Sequence, residues 1–207
     1  MSNPAATLRD DLIAAALRVA RRDGIAAASA ESIIAEAGTT PEAFAGVFRS
    51  QDELMAELIQ RAVNEEYRSI APLLAGGASA ADATLGELIE QGLLRYLASV
   101  QADPERERGM LELTQYALRD ERIGHLARLQ YARYTELVEM ALDAAAGRTG
   151  RRWLVPVVEV ARMIVALCDG ITISLLVRGD DAEARALVRS AVRAVEAHAA
   201  AAGEGGA

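Results

Sequence analysis

The chain has 207 residues, 52% hydrophobic and 25% charged, a length and balance that suit one or two globular domains with a sizeable core. Aromatics make up only 4% and alanine is abundant, which favours helices over a β-sandwich or barrel. The net charge is −8 with arginine as the sole strong base; the lack of lysine excludes a P-loop, Schiff-base or kinase lysine, and one cysteine with two histidines excludes a disulfide framework and any Cys- or multi-His metal site.

The punctuation predicts about nine helices in chain order. The first spans Thr7 to Arg22, with Leu8, Leu12, Ala15, Ala16 and Val19 on one face and Gly24 as its stop. Ser29 is a good N-cap for a short helix that turns Ile33, Ile34 and Ala37 inward before Gly38. Thr40-Pro41 opens a brief third helix carrying Phe44 and Phe48. Ser50-Gln51-Asp52-Glu53 reads as a capping box whose glutamate reaches back to the cap amide, and the helix it opens ends near Pro72. The stretch from Ala75 to Ala80, with Gly76, Gly77 and Ser79, is a flexible break and the best domain boundary. Helices follow from Thr84 to Gln101, from Pro104 to Arg119 and from Glu121 to Ala146, with a loop at Gly147–Gly150. Pro156 to Arg178 is nearly apolar all round and should be buried on several sides. Asp180 or Asp181 starts a last amphipathic helix to about Ala200, and residues 203–207 form a tail expected to be disordered. No strand is predicted, so the fold class is all-α. No apolar run is read as long enough to cross a membrane, and the first 25 residues hold no signal-peptide core, which points to the cytoplasm.

The first 60 residues carry a pattern: a periodic apolar helix, Gly24, Ser29, then Ile34-Ala35-Glu36-Ala37-Gly38-Thr39-Thr40, Phe44, Phe48-Arg49-Ser50 and Leu54. This resembles the tetracycline-repressor (TetR) family of bacterial regulators, with a helix-turn-helix that turns at Ala37-Gly38. Leu167-Cys168-Asp169-Gly170-Ile171 also resembles a sequence late in some members. The resemblance implies a three-helix DNA-binding domain over residues 1–50 and a helical ligand-binding and dimerisation domain over 51–202. It implies a homodimer held by the last two helices. The apolar surplus from Val155 to Leu176 agrees, because one core face does not need it all; a central helix of a monomeric bundle is the other reading.

The resemblance also implies phosphate and base contacts. Ser29, Thr39, Thr40 and Arg49 are the candidates that remain. Glu42, Ala45, Gly46 and Val47 stand where members of the family carry neutral, basic, aromatic or larger polar side chains, and Gln51 stands where they carry lysine. Residues 1–55 hold five arginines against eight carboxylates, a net charge of −3. Weak DNA binding with a shallow salt dependence is therefore expected. Arg18, Arg21, Arg22 and Arg49 read either as a local basic edge or as solvated helix-end charges.

The later helices read as the walls of a small-molecule pocket. Thr114, Tyr116, Gln130, Tyr131, Tyr134, Glu159, Arg162 and Asp169 are polar points among apolar neighbours. An apolar ligand oriented by a few hydrogen bonds suits that composition. Glu159 and Arg162 read alternatively as an i,i+3 surface or interface pair, and the tyrosines as core with satisfied hydroxyls. No hydrolase elbow, metal-ligand spacing or dinucleotide fingerprint is present, so no catalytic residue, metal or cofactor is assigned. The runner-up function is the same fold with DNA binding lost, its pocket serving as an enzyme or carrier in a biosynthetic pathway.

Overall fold

The computed structural model describes residues 4–75, 83–119, 121 and 123–201. Among these it has nine α-helices: α1 (Pro4–Asp23), α2 (Ala30–Ala37), α3 (Pro41–Ala45), α4 (Gln51–Ala75), α5 (Leu85–Ala102), α6 (Pro104–Arg119), α7 (Gly124–Thr149), α8 (Val157–Arg178) and α9 (Asp181–Glu196). The all-α expectation holds, with a 3-10 turn at Ile25–Ala27 and two short strands, β1 (Arg151–Trp153) and β2 (Ala199–Ala201). The strands correct the expectation of none. They pair antiparallel, Trp153 opposite Ala199, and join the α7–α8 connection to the chain leaving α9. A three-alanine strand has no propensity signature, and the partner is 48 residues away, so no local pattern announces it.

The caps match their chemistry. Ser29 Oγ accepts from the Ser32 N–H, Thr40 Oγ1 from the Ala43 N–H, and Asp180 from the N–H groups of Ala182 and Glu183. Gly38 ends α2 at φ 63°, a left-handed conformation that a side chain would strain. At Ser50 only half of the expected box forms. Ser50 Oγ accepts from the Glu53 N–H at 3.2 Å, but the Glu53 carboxylate takes the Arg49 N–H, one residue ahead of the cap. The full reciprocal box is at α5, between Thr84 and Glu87. Its hydrogen bonds, to the Thr84 N–H first, hold the Glu87 carboxyl below its usual range. The box therefore stabilises the fold above ordinary glutamate titration and loses that contribution as pH falls through the depressed value. Thr84→Ala should lower stability by about 1 kcal/mol, read by chemical denaturation at neutral pH.

Two boundaries move. α4 runs through Pro72 to Ala75, and α7 runs through Gly147 to Thr149, where a loop is expected from sequence. Gly150, at φ 62°, is the stop. The rest of the expected 75–80 boundary and the 203–207 tail lie outside the described residues.

The chain forms two compact units, one of residues 1–66 with 105–129, the other of 67–104 with 130–207. The first is built around Leu12, Ile13, Ile33, Phe48, Leu54, Leu58 and Val63 with Met110, Leu113, Leu126 and Ala127. In it the Glu112 carboxylate of α6 accepts the Ile25 N–H at 3.0 Å, just past the α1 terminus. The second is built around Leu93, Leu97 and Val100 of α5, Val160, Ile164 and Leu175 of α8, and Val188, Val192 and Val195 of α9. α8 is long and apolar enough to cross a membrane by length and composition, contrary to the sequence expectation. Here it is a core helix, its Val160, Ala161, Ile164, Ile171 and Leu175 side packed inside the second unit.

Candidate functional site

The α2–Gly38–α3 segment is the helix-turn-helix, and its side chains divide into free and committed groups. Thr40 is exposed at the opening of α3, but its hydroxyl accepts the Ala43 N–H as the cap and bonds Glu42 in the first turn. Thr39 is half-exposed beside it, while Ser29 spends its oxygen on Ser32 as the α2 cap. Arg49 leaves 95% of its side chain exposed, with only Glu53 at 3.9 Å. Of the DNA candidates, Arg49 is thus the most available, while Thr40, like Ser29, serves as a helix cap.

The remaining described arginines of this region are held by carboxylates. Glu36 binds both Arg18 (2.8 Å) and Arg22 (2.9 Å), and these hydrogen bonds, Arg18 first, depress its carboxyl. Arg9 pairs with Glu57 at 2.5 Å, donates to the Val47 carbonyl at 3.0 Å and lies 4.4 Å over the Phe48 ring. For Arg18 and Arg22 the geometry favours solvated helix-end charges over a basic edge, since both stay more than half exposed, and it adds Glu36 as their shared partner. The Arg21 side chain is not among those described. Gln51 does not await a phosphate. Its Nε2 donates to the Ala28 carbonyl at 3.1 Å and its Oε1 accepts the Ala30 N–H at 3.3 Å, tying the start of α4 to the start of α2. Sequence reading missed this tie because both partners are main-chain groups. It also missed the Glu36 clamp, although Arg18 and Arg22 are one turn apart on α1.

In the second unit, α7 and α8 bring together half of the expected ligand residues. The Tyr131 hydroxyl donates to Asp169 Oδ2 at 2.8 Å. The buried Gln130 amide donates to the Tyr134 hydroxyl at 2.8 Å, and the two tyrosine rings lie 5.8 Å apart at 59°. One turn beyond Asp169, the buried Thr172 hydroxyl meets the Tyr96 hydroxyl of α5 at 2.8 Å. Tyr96 and Thr172 were not singled out from sequence; the signal available was Thr172 at i+3 from Asp169. Burial raises the Asp169 carboxyl above the usual range, with the Tyr131 hydrogen bond working the other way.

The other half is placed elsewhere. Thr114 and Tyr116 belong to the first compact unit, where Thr114 bonds the Met110 carbonyl of its own helix and Tyr116 packs against the core. Glu159 and Arg162 are exposed, on the α8 stripe that also carries Ala166, Gly170, Ile173 and Val177. That stripe suits the interface reading of the pair.

A chain with this helix-turn-helix and a separate polar-aromatic cluster among buried helices is built as a ligand-responsive DNA-binding regulator. Residues 12–58 match the bacterial regulatory proteins of the tetR family, and residues 85–200 match the C-terminal domain of BetI-type transcriptional repressors. The chain is 32% identical over 166 residues to the HTH-type nicotine-responsive transcriptional repressor HdnoR of Paenarthrobacter nicotinovorans, covering 78% of this chain and 80% of that one. Among solved structures, its fold is similar to a TetR transcription regulator from Haloarcula marismortui, with TM-score 0.72 at 17% identity, covering 94% and 100% of the two chains. It is also similar to the multidrug binding protein EbrR complexed with ethidium, with TM-score 0.68 at 24% identity, covering 93% and 99%. The chain belongs to the TetR family of ligand-responsive transcriptional regulators. Members are DNA-binding dimers that take small-molecule ligands, and a transcriptional repressor family implies a soluble, cytoplasmic protein. The repurposed enzyme or carrier is not favoured by these matches.

Proposed function

We propose that the chain is a dimeric repressor that binds DNA flanking its own gene and is released by a small, mostly apolar organic ligand. In this reading residues 1–50 meet DNA, while ligand binding and dimerisation belong to 51–202. Thr39, Thr40 and Arg49 make the phosphate contacts, with the Ser29 cap fixing the start of α2. The ligand sits at Gln130, Tyr131, Tyr134 and Asp169. The similarity to a nicotine-responsive repressor and to an ethidium-binding protein supports a small organic ligand.

The observation that carries the reading is α7. This unbroken helix contributes Leu126 and Ala127 to the core of the unit that holds the helix-turn-helix, and Gln130, Tyr131 and Tyr134 to the polar cluster. Differential affinity of the two states for ligand and for DNA then gives the response.

The test is a titration of labelled duplex from the region flanking the gene at several salt concentrations. Selective binding over a scrambled duplex is expected, with a slope shallower than that of a basic helix-turn-helix protein, because most arginines of the DNA-facing unit are already paired. Equal affinity for the scrambled duplex would refute the repressor reading. Arg49→Ala should weaken both duplexes by a similar factor and make the slope shallower by about one per protomer, the signature of a phosphate contact.

A further inference from the structure

We propose that Arg9 is a positioning residue for DNA binding: from α1 it holds the α3–α4 connection, Val47-Phe48-Arg49, in the conformation that presents the Arg49 guanidinium to a phosphate. The proposal rests on residues 1–50 meeting DNA through Arg49. Arg9 acts through that connection and makes no contact with the duplex itself.

α3 has only five residues, and a helix that short does not hold its own orientation. Residues 46–50 follow it as irregular chain before α4 begins at Gln51. Arg9 reaches three consecutive residues of that stretch. Its Nη1 donates to the Val47 carbonyl at 3.0 Å. Its guanidinium carbon lies 4.4 Å from the centre of the Phe48 ring. Its Nη2 lies 3.6 Å from one oxygen of Glu53, whose other oxygen accepts the Arg49 N–H at 2.9 Å. The Arg49 N–H first, and then the Arg49 and Arg9 charges, hold the Glu53 carboxyl below its usual range. The bridge from Arg9 to the Arg49 backbone is therefore ionised at neutral pH.

The chemistry of the fork explains why an arginine stands here. Nε and Nη2 of Arg9 pair with Glu57 at 2.6 and 2.5 Å, so all three guanidinium nitrogens have partners inside the fold. A planar fork can meet a carbonyl, two carboxylates and an aromatic face together, whereas an ammonium is a single point charge. Arg49 is the opposite case: its backbone is tied through Glu53 while its side chain stays 95% exposed. Without Arg9 the connection has to be ordered as DNA binds, and that entropy is subtracted from the affinity.

The test is a double-mutant cycle on the full chain, read by anisotropy of the flanking duplex at several salt concentrations, with a thermal melt of each variant. Arg9→Lys keeps the charge and the aliphatic stem. It should weaken binding about tenfold and make the salt slope shallower by about one per protomer, as should Arg49→Ala. The double variant should bind no more weakly than either single one, because both changes remove the same phosphate contact. Arg61→Met is the control for stability. It cuts the same ladder of charges at Asp10 and Glu57 without touching residues 47–49, so it should lower the melting temperature as Arg9→Lys does yet bind duplex like the parent. Losses that multiply in the double variant, or an Arg9→Lys that binds like the parent, overturn the proposal while leaving Arg49 on DNA. A loss in Arg61→Met equal to that in Arg9→Lys also overturns it, since stability alone then explains both. If Arg49→Ala binds like the parent, the DNA role of Arg49 itself falls, and the positioning role with it.

Discussion

Phe48→Ala is expected to destabilise the unit that carries the helix-turn-helix by about 3 to 5 kcal/mol, and to remove DNA binding at 37 °C with it. Phe48 follows α3, is 1% exposed and packs with Leu54, Leu58 and Leu12 in one core. Its ring also lies 5.8 Å from the Phe44 ring and beneath the Arg9 guanidinium. Truncation therefore leaves a cavity and removes the surface on which Arg9 rests while it holds Glu57 and the Val47 carbonyl. Thermal melting followed by far-UV circular dichroism checks this. A loss below 1 kcal/mol would mean that α3 is not anchored through Phe48.

Gly170→Arg is expected to convert the protein from dimer to monomer. Gly170 lies on the exposed stripe of α8 between Ala166 and Ile173, and a Cβ there would meet no atom within 4 Å of its own chain. Ile173 and Val177 continue the stripe at 47% and 76% exposure, an arrangement a single chain has no reason to keep. Within the monomer the substitution replaces a helical glycine with a good helix former and should stabilise it by about 0.5 to 1 kcal/mol. Across a two-fold interface it places two guanidinium groups in an apolar contact. Sedimentation of the parent should give twice the 22.0 kDa chain mass and the variant that mass alone. A variant that remains dimeric would move the interface off this stripe.

Local chemistry made most of the fold legible. Thr40-Pro41, Asp103-Pro104, Gly38 and Asp180 each carry a start or stop signal in one or two residues, and the corresponding elements fall within a few residues of their expected ends. Gly147 misled because a glycine inside a long helix costs only about 1 kcal/mol, which the rest of α7 absorbs; the backbone stops where φ turns positive, at Gly150. The site was legible in residue type but not in facing. Along α8, Glu159, Arg162 and Asp169 are close in helical phase, and a helix apolar all round gives no sign of which side meets its own chain. Asp169 falls at the edge of the stripe and turns to Tyr131, while Glu159 and Arg162 stay outside. Gln51 and Glu36 show a related limit. Gln51 was weighed for what it could do to DNA and Glu36 only counted as a charge, yet the partners of each are groups of its own fold, distant in sequence.

The most direct test of ligand-responsive repression is reciprocal linkage. Fluorescence anisotropy of the flanking duplex is measured with and without whichever small organic probe the chain binds, and probe affinity is measured with and without saturating duplex. Probe and duplex should weaken each other by the same factor, about 5- to 150-fold, since coupling between two sites on one equilibrium is symmetric. A probe that saturates the α7–α8 cluster while the duplex affinity stays unchanged would contradict the account.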